Sequence, residues 1–233
     1  MKTDKTLGVL GGMGPAATAD FLKILAKKAP ASTDQEHPRT IIYNYTKIPD
    51  RTTYLLGKGP DPRPLLREGL ETLIGWGVDY LCVTCNTAHY FIDEIRSELS
   101  VPVIHIIDET IRKARALSPS GAWLTATLGT MKTGLYQRHA ADSGYNFDVA
   151  PYDVQVEIHD VTDLVKAGRI AEAASKFKPI VEALWKEKDQ PVVCACTELP
   201  IAYEATGLPP QKGINCLEAL ADGCIRELYG LEK

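Results

Sequence analysis

Short apolar runs alternate with segments of helical periodicity along nearly the whole chain, which predicts repeated βα units around a parallel sheet and an α/β class. Residues 7–10 read as a first strand that runs into the glycine loop Gly11-Gly12-Met13-Gly14. Beyond it Ala17, Phe21, Ile24 and Leu25 recur at helical spacing until Pro30 stops the helix. Residues 40–46 predict the next strand. Leu66, Leu70, Leu73 and Ile74 mark an amphipathic helix closed by Gly75 and Gly77, and residues 78–84 read as a buried strand leading straight into Cys85. A helix carrying Phe91, Ile95 and Leu99, a strand at 103–107 and a helix from Asp108 follow.

At Ser118-Pro119-Ser120-Gly121 the pattern breaks into turn residues and then restarts, with a strand at 122–127, a turn at Gly129-Thr130 and a helix through Tyr136. The interval from Gly11 to Gly129 nearly equals that from Cys85 to Cys196. In each half a strand, 78–84 or 191–195, ends at a cysteine followed within two residues by a threonine and then a predicted helix. The spacing suggests an internal duplication: two similar domains, each a mainly parallel sheet flanked by helices, related by pseudo-symmetry. The expected division is 1–117, 118–212, and a segment 213–233 whose short strand and helix pack back on the first domain.

Composition narrows the function. With 233 residues, 45% hydrophobic and 24% charged, the chain has ordinary globular make-up, and its formal net charge of -4 comes without a Lys/Arg block. A nucleic-acid or anionic-membrane partner is therefore not expected. No apolar stretch approaches the roughly 18 residues of a membrane-spanning helix, and the first apolar run is too short for a signal-peptide core. A cytoplasmic location is expected. The six cysteines are too few for a disulfide scaffold of this length and read as reduced thiols.

Two of those cysteines are candidates for chemistry. Cys85-Asn86-Thr87-Ala88-His89 and Cys196-Thr197-Glu198-Leu199-Pro200 each place a thiol at the carboxyl end of a predicted parallel strand, where open α/β sheets bind ligands. Lowering a thiol from a reference pKa of about 8.5 to about 6.5 takes about 2.7 kcal/mol, whereas a helix N-terminus supplies about 0.3 to 1. A substrate ammonium or a nearby cation must supply the rest. Cys82, Cys194, Cys216 and Cys224 read as small buried hydrophobes. The unequal spacings Cys82-x-x-Cys85 and Cys194-x-Cys196 do not suit zinc, so no metal is expected. His89 reads as a local partner of the cysteine loop. The loop Gly12-x-Gly14-x-x-Ala17 matches a dinucleotide fingerprint formally, but Pro15 intrudes and no acidic residue stands at the end of the second strand. Bare N–H groups at a helix start would serve a small carboxylate equally well.

Taken together, Gly11-Gly12-Met13-Gly14-Pro15, Ile48-Pro49-Asp50-Arg51-Thr52, the first cysteine motif, Leu128-Gly129-Thr130 and the second cysteine motif resemble the aspartate/glutamate racemase family, closest to its aspartate branch. Glutamate racemases of cell-wall synthesis follow the second cysteine with Thr-His, whereas this chain has Thr197-Glu198; Ala195 and Asn215 also depart from common family residues. The resemblance implies two α/β domains facing each other across a cleft, one catalytic cysteine from each, no cofactor, an acidic amino acid as substrate and a homodimer. It implies that Cys85 acts on the D-enantiomer and Cys196 on the L-enantiomer, with Arg51 and Lys166 closing over the substrate. Asn86, Thr87, Thr130 and Thr197, with backbone near Met13 and the neighbouring Asp50, are the expected substrate-binding groups. The alternatives are a single-cysteine isomerase or decarboxylase, a hydantoin-type racemase, or a catalytically silent amino-acid-binding module.

Overall fold

The computed structural model describes residues 2–231. Strands β1 (Thr6–Gly11), β2 (Arg39–Asn44), β3 (Tyr80–Val83) and β4 (Val103–Ile104) form one sheet in the order β2-β1-β3-β4, every pairing parallel. Strands β5 (Ala122–Thr125), β6 (Phe147–Val149), β7 (Val192–Cys194) and β8 (Gly213–Asn215) form a second, in the order β6-β5-β7-β8 and again wholly parallel. The second half thus repeats the wiring of the first. β1 and β5 lie inside their sheets and are buried on both faces, which is why they read as continuous apolar runs rather than alternating ones.

Helix α1 (Pro15–Lys28) starts on Pro15 and buries Ala17, Phe21 and Leu25; proline suits that position because the first turn has no use for its N–H. The short helix α2 (Arg51–Leu55) precedes α3 (Arg63–Gly75), α4 (His89–Ile95) and α5 (Ile106–Leu117) in the first half. Helices α6 (Leu128–Thr133), α7 (Leu135–Ala140), α8 (Tyr152–Lys166), α9 (Ile170–Glu187) and α10 (Leu199–Ala205) serve the second, and α11 (Cys216–Tyr229) ends the fold. Three differences from the expected pattern have local causes. The strand at 103–107 is cut to two residues because His105 N-caps α5, which begins at Ile106 rather than Asp108. Gly129 and Thr130 lie inside α6 rather than in a turn, and the left-handed residue that ends this helix is Gly134, with φ 60°. The terminal segment is divided: β8 completes the second sheet while α11 packs against α1 and α5 of the first half. One central apolar cluster accordingly runs from Leu7, Val9 and Phe21 through Leu217 and Leu220 to Leu124, Val193 and Ile214.

Candidate active site

Both cysteines leave the carboxyl ends of equivalent strands, β3 and β7, and each is followed by a turn before a seven-residue helix. The sequence placed them at helix starts; instead Cys85 precedes α4 by a turn in which His89 N–H donates to Asn86 O, and Leu199 N–H donates to Cys196 O before α10. Neither helix N-terminus therefore bears on its sulfur as directly as expected. Cys85 and Cys196 line the same narrow cleft together with Met13, Asp50, Arg51, Thr52, Asn86, Thr87, Thr127, Lys166, Thr197 and Glu198. Two larger surface clefts, one along α5 and α7 and one between α1 and α10, contain neither of these cysteines.

The two halves meet at this cleft in backbone contact. A Cβ on Gly129 would stand 2.8 Å from Thr52 Oγ1 and 3.0 Å from Thr52 Cα, so α6 approaches α2 closely only because the residue is glycine. Beside that contact Thr87 Oγ1 lies 2.9 Å from both Thr127 Oγ1 and Thr130 Oγ1, and Thr130 N–H donates to Thr127 Oγ1. Thr127 caps α6 and joins the lining, whereas Thr130 stands behind it as a support. Asn86 is likewise committed: its Nδ2 donates to Cys216 Sγ at 3.3 Å and its Oδ1 accepts from Tyr136 OH at 2.6 Å. Its side chain holds the turn under the first cysteine.

Arg51 opens α2, whose N-cap Asp50 accepts from Thr53 N at 2.7 Å. The guanidinium is buried and donates to the backbone carbonyls of Ile48, Pro49 and Met13, while its Nε has no partner. Burial works against the charge, but Cys85 and then Asp50 more than compensate, so the Arg51 pKa is raised. Lys166 ends α8 with its side chain 32% exposed and its Nζ 3.1 Å from Asp163. Burial is outweighed there too, by Cys196 first and then Asp163 and Glu198. Each sulfur therefore has a cation at hand, one from each half. Asp50 is held below the usual carboxylate range: burial opposes this, but the Thr53 N–H, Arg51 and Lys166 prevail.

Glu198 stands in the second motif, yet no local sequence signal marks it as a site residue. Its carboxylate is buried, accepts from Cys196 Sγ at 3.0 Å and Thr197 Oγ1 at 3.1 Å, and through its other oxygen from Gly14 N–H at 3.1 Å. Burial, then Glu198, pushes the Cys196 thiol well up, with Lys166 opposing. Gly12 N–H in turn donates to Thr18 Oγ1, so two N–H groups of the glycine loop are already engaged and do not form an open phosphate cradle.

The remaining cysteines behave as packing residues. Cys82, Cys216 and Cys224 are 0% exposed and Cys194 1%, against 6% for Cys85 and 5% for Cys196. Burial pushes the Cys216 thiol up to about 12. His89 is fully buried, which lowers its pKa and keeps it neutral, and its Nδ1 lies 2.7 Å from Cys85 O, as a local partner of the loop should. Asp93, His105 and His139 bring potential metal ligands together outside the cleft. The His105 and His139 rings stack at 4.6 Å with planes 18° apart. Their in-plane lone pairs therefore lie side by side rather than converging on one ion, and the carboxylates Asp93 and Asp108 bracket His139 at 2.8 and 2.6 Å.

The family description Asp/Glu/hydantoin racemase matches residues 10–221. A relative in Bacillus subtilis, described as the broad specificity amino-acid racemase RacX, is 27% identical over 203 residues, 83% of this chain and 85% of its own. Among solved structures, Picrophilus torridus aspartate racemase superposes with a TM-score of 0.85 at 27% identity, covering 97% of this chain and 94% of that one. A glutamate racemase from Thermus thermophilus shares the fold, with a TM-score of 0.65 at 20% identity over all of this chain and 84% of that one. No helix of the described residues is long and apolar enough to cross a membrane.

Proposed function

The chain belongs to the Asp/Glu/hydantoin racemase family of isomerases, and from that premise we propose that it interconverts L- and D-aspartate, with glutamate the next substrate, by a cofactor-independent reaction through Cys85 and Cys196. What supports this reading above all is that two cysteines from equivalent strands of two equivalent halves line one cleft. Inverting an α-carbon requires a base on one face and an acid on the other. A thiolate removes the proton, a thiol on the opposite face returns one, and the two sulfurs end with their protonation states exchanged. By the same family resemblance Cys85 serves the D-enantiomer and Cys196 the L-enantiomer, in a cytoplasmic homodimer. The RacX description extends the range to test beyond acidic amino acids.

An acidic substrate carries two carboxylates, and the cleft offers Arg51 and Lys166. Arg51 also ties together three backbone carbonyls, so its loss should slow every substrate. Lys166, whose partner Asp163 is 59% exposed, is the cation free to choose the side chain. A charge-assisted hydrogen bond is worth about 1.5 to 3 kcal/mol, so Lys166→Ala should lower kcat/KM for aspartate by about ten- to a hundred-fold more than it lowers that for alanine. The decisive experiment is proton NMR of both enantiomers of aspartate, glutamate and alanine in deuterated water after dialysis against chelator and without pyridoxal phosphate. Loss of the α-proton signal with racemisation is the expected result; tight binding without exchange would instead make the protein an amino-acid sensor.

A further inference from the structure

We propose that Glu198 is a positioning residue that keeps the proton on Cys196 in the resting enzyme, so that two sulfurs wired symmetrically begin each cycle in unequal states; this rests on the racemase reading. The asymmetry is written into the motifs. Two residues after Cys85 stands Thr87, whose hydroxyl is taken up by Thr127 and Thr130. Two residues after Cys196 stands Glu198, whose carboxylate is 3.0 Å from the sulfur. An ionised carboxylate, whose two oxygens here face only donors, is acceptor only. The short contact to Cys196 is therefore an S–H donating to an oxygen, and the same oxygen would repel a thiolate in its place.

The carboxylate is fixed from both halves. Thr197 Oγ1 holds one oxygen and the Gly14 N–H of the glycine loop holds the other, so Glu198 cannot swing away without giving up a buried bond across the cleft. Lys166 faces both Cys196 and Glu198 and eases the charge that remains when Cys196 has given its proton to the substrate carbon. The bond forming is C–H, the bond breaking is S–H, and the electron pair stays on sulfur as thiolate; the opposite sulfur has taken up the proton removed from the other face.

The kinetic consequence is constrained by symmetry. Enantiomers have equal free energies in water, so the equilibrium constant is one and kcat/KM must be equal in the two directions. An unequal resting state can appear only as matched differences in KM and kcat. The enantiomer whose α-hydrogen faces Cys196 must find the scarcer form with that sulfur ionised, and its KM rises by the inverse of that fraction. Its kcat rises by the same factor.

Glu198→Gln tests this, because the amide keeps the size and the acceptor for Gly14 while removing the charge. Carboxamidomethylation of Cys196 by iodoacetamide, followed against pH by peptide mass spectrometry, should show its midpoint fall by at least about one pH unit, tenfold more thiolate at a given pH. The KM ratio of the two enantiomers should move toward one, with the kcat ratio following it. An unshifted or raised midpoint overturns the proposal, whatever happens to activity. If the variant does not fold, Glu198→Ala takes its place under the same alkylation and is read the same way, since burial alone already raises the wild-type midpoint. Should the wild type exchange no α-proton of any amino acid, the racemase reading fails, and the alkylation midpoints still judge Glu198 on their own.

Discussion

At the two sulfurs proposed to exchange protons with substrate, small differences in exposure separate the cleft from the packed core. Cys85 and Cys196 are 6% and 5% exposed and open on the cleft, whereas Cys224 is 0% exposed within α11. Replacing either of the first two by serine exchanges a thiol for a far weaker acid, and general acid–base groups contribute about 10²- to 10⁴-fold. Cys85→Ser and Cys196→Ser should each lower racemisation by that order, while circular dichroism and the unfolding midpoint change little. Cys224→Ala should do the reverse, losing stability with kcat nearly unchanged. Racemisation at a near wild-type rate in either serine variant would end the two-base assignment. The cysteine motifs made both sulfurs legible in the sequence because strand, cysteine and threonine recur in order. Glu198 was equally visible as a letter, but its importance depends on reaching Gly14 in the other half, a contact no local pattern encodes.

Among the elements, the strands and the larger amphipathic helices were readable because burial on both faces or on one stripe leaves a periodic trace. The short ones were not. Helix α2 is five residues long and exists because Asp50 caps it and the Arg51 side chain gathers the carbonyls around it. The placement of α11 also escaped local reasoning in part, since its strand goes to one sheet and its helix to the other half. Its seat on α5 has a specific anchor: Arg226 holds Glu109 through two bonds of 2.6 and 3.1 Å, with the side chains 12% and 9% exposed. A Cβ on Gly223 would meet Glu109 Cδ at 2.7 Å, so the helices touch there. Removing one partner of a buried pair costs about 3 to 5 kcal/mol where nothing else meets the remaining charge; here Arg112 Nε stays 3.7 Å from Glu109, which holds the cost to the low end. Arg226→Leu should therefore destabilise by about 3 kcal/mol in urea unfolding, and adding Glu109→Leu should recover most of it. A single variant as stable as wild type would mean that Arg112 or solvent compensates Glu109.

For the whole molecule, the question is what holds the two sheets at the separation the cleft requires. The central apolar cluster does much of it, and a charged cluster at its edge adds a pH-dependent share. His139 on α7, in the second half, is bracketed by Asp93 of α4 and Asp108 of α5, both in the first. Its hydrogen bonds to Asp108 and then Asp93 raise its pKa from 6.5 to about 9. The two carboxylates are correspondingly lowered: burial opposes this for both, but bonding to the histidines prevails. A histidine raised on folding contributes stability that is complete below its unfolded value and lost as pH climbs through the folded one. The depressed carboxylates contribute above their unfolded range, near 3.8, and lose it as pH falls. The cluster should thus stabilise fully between about pH 4 and 6.5 and weaken on either side. With screening at the half-exposed Asp108, the histidine's share is on the order of 2 kcal/mol. His139→Gln compared with wild type across pH 5 to about 9.5 should show a stability gap that is widest at the acid end and closes through the alkaline limb. A gap that stays constant with pH would mean that His139 joins the halves by packing alone, and that no proton is held between them.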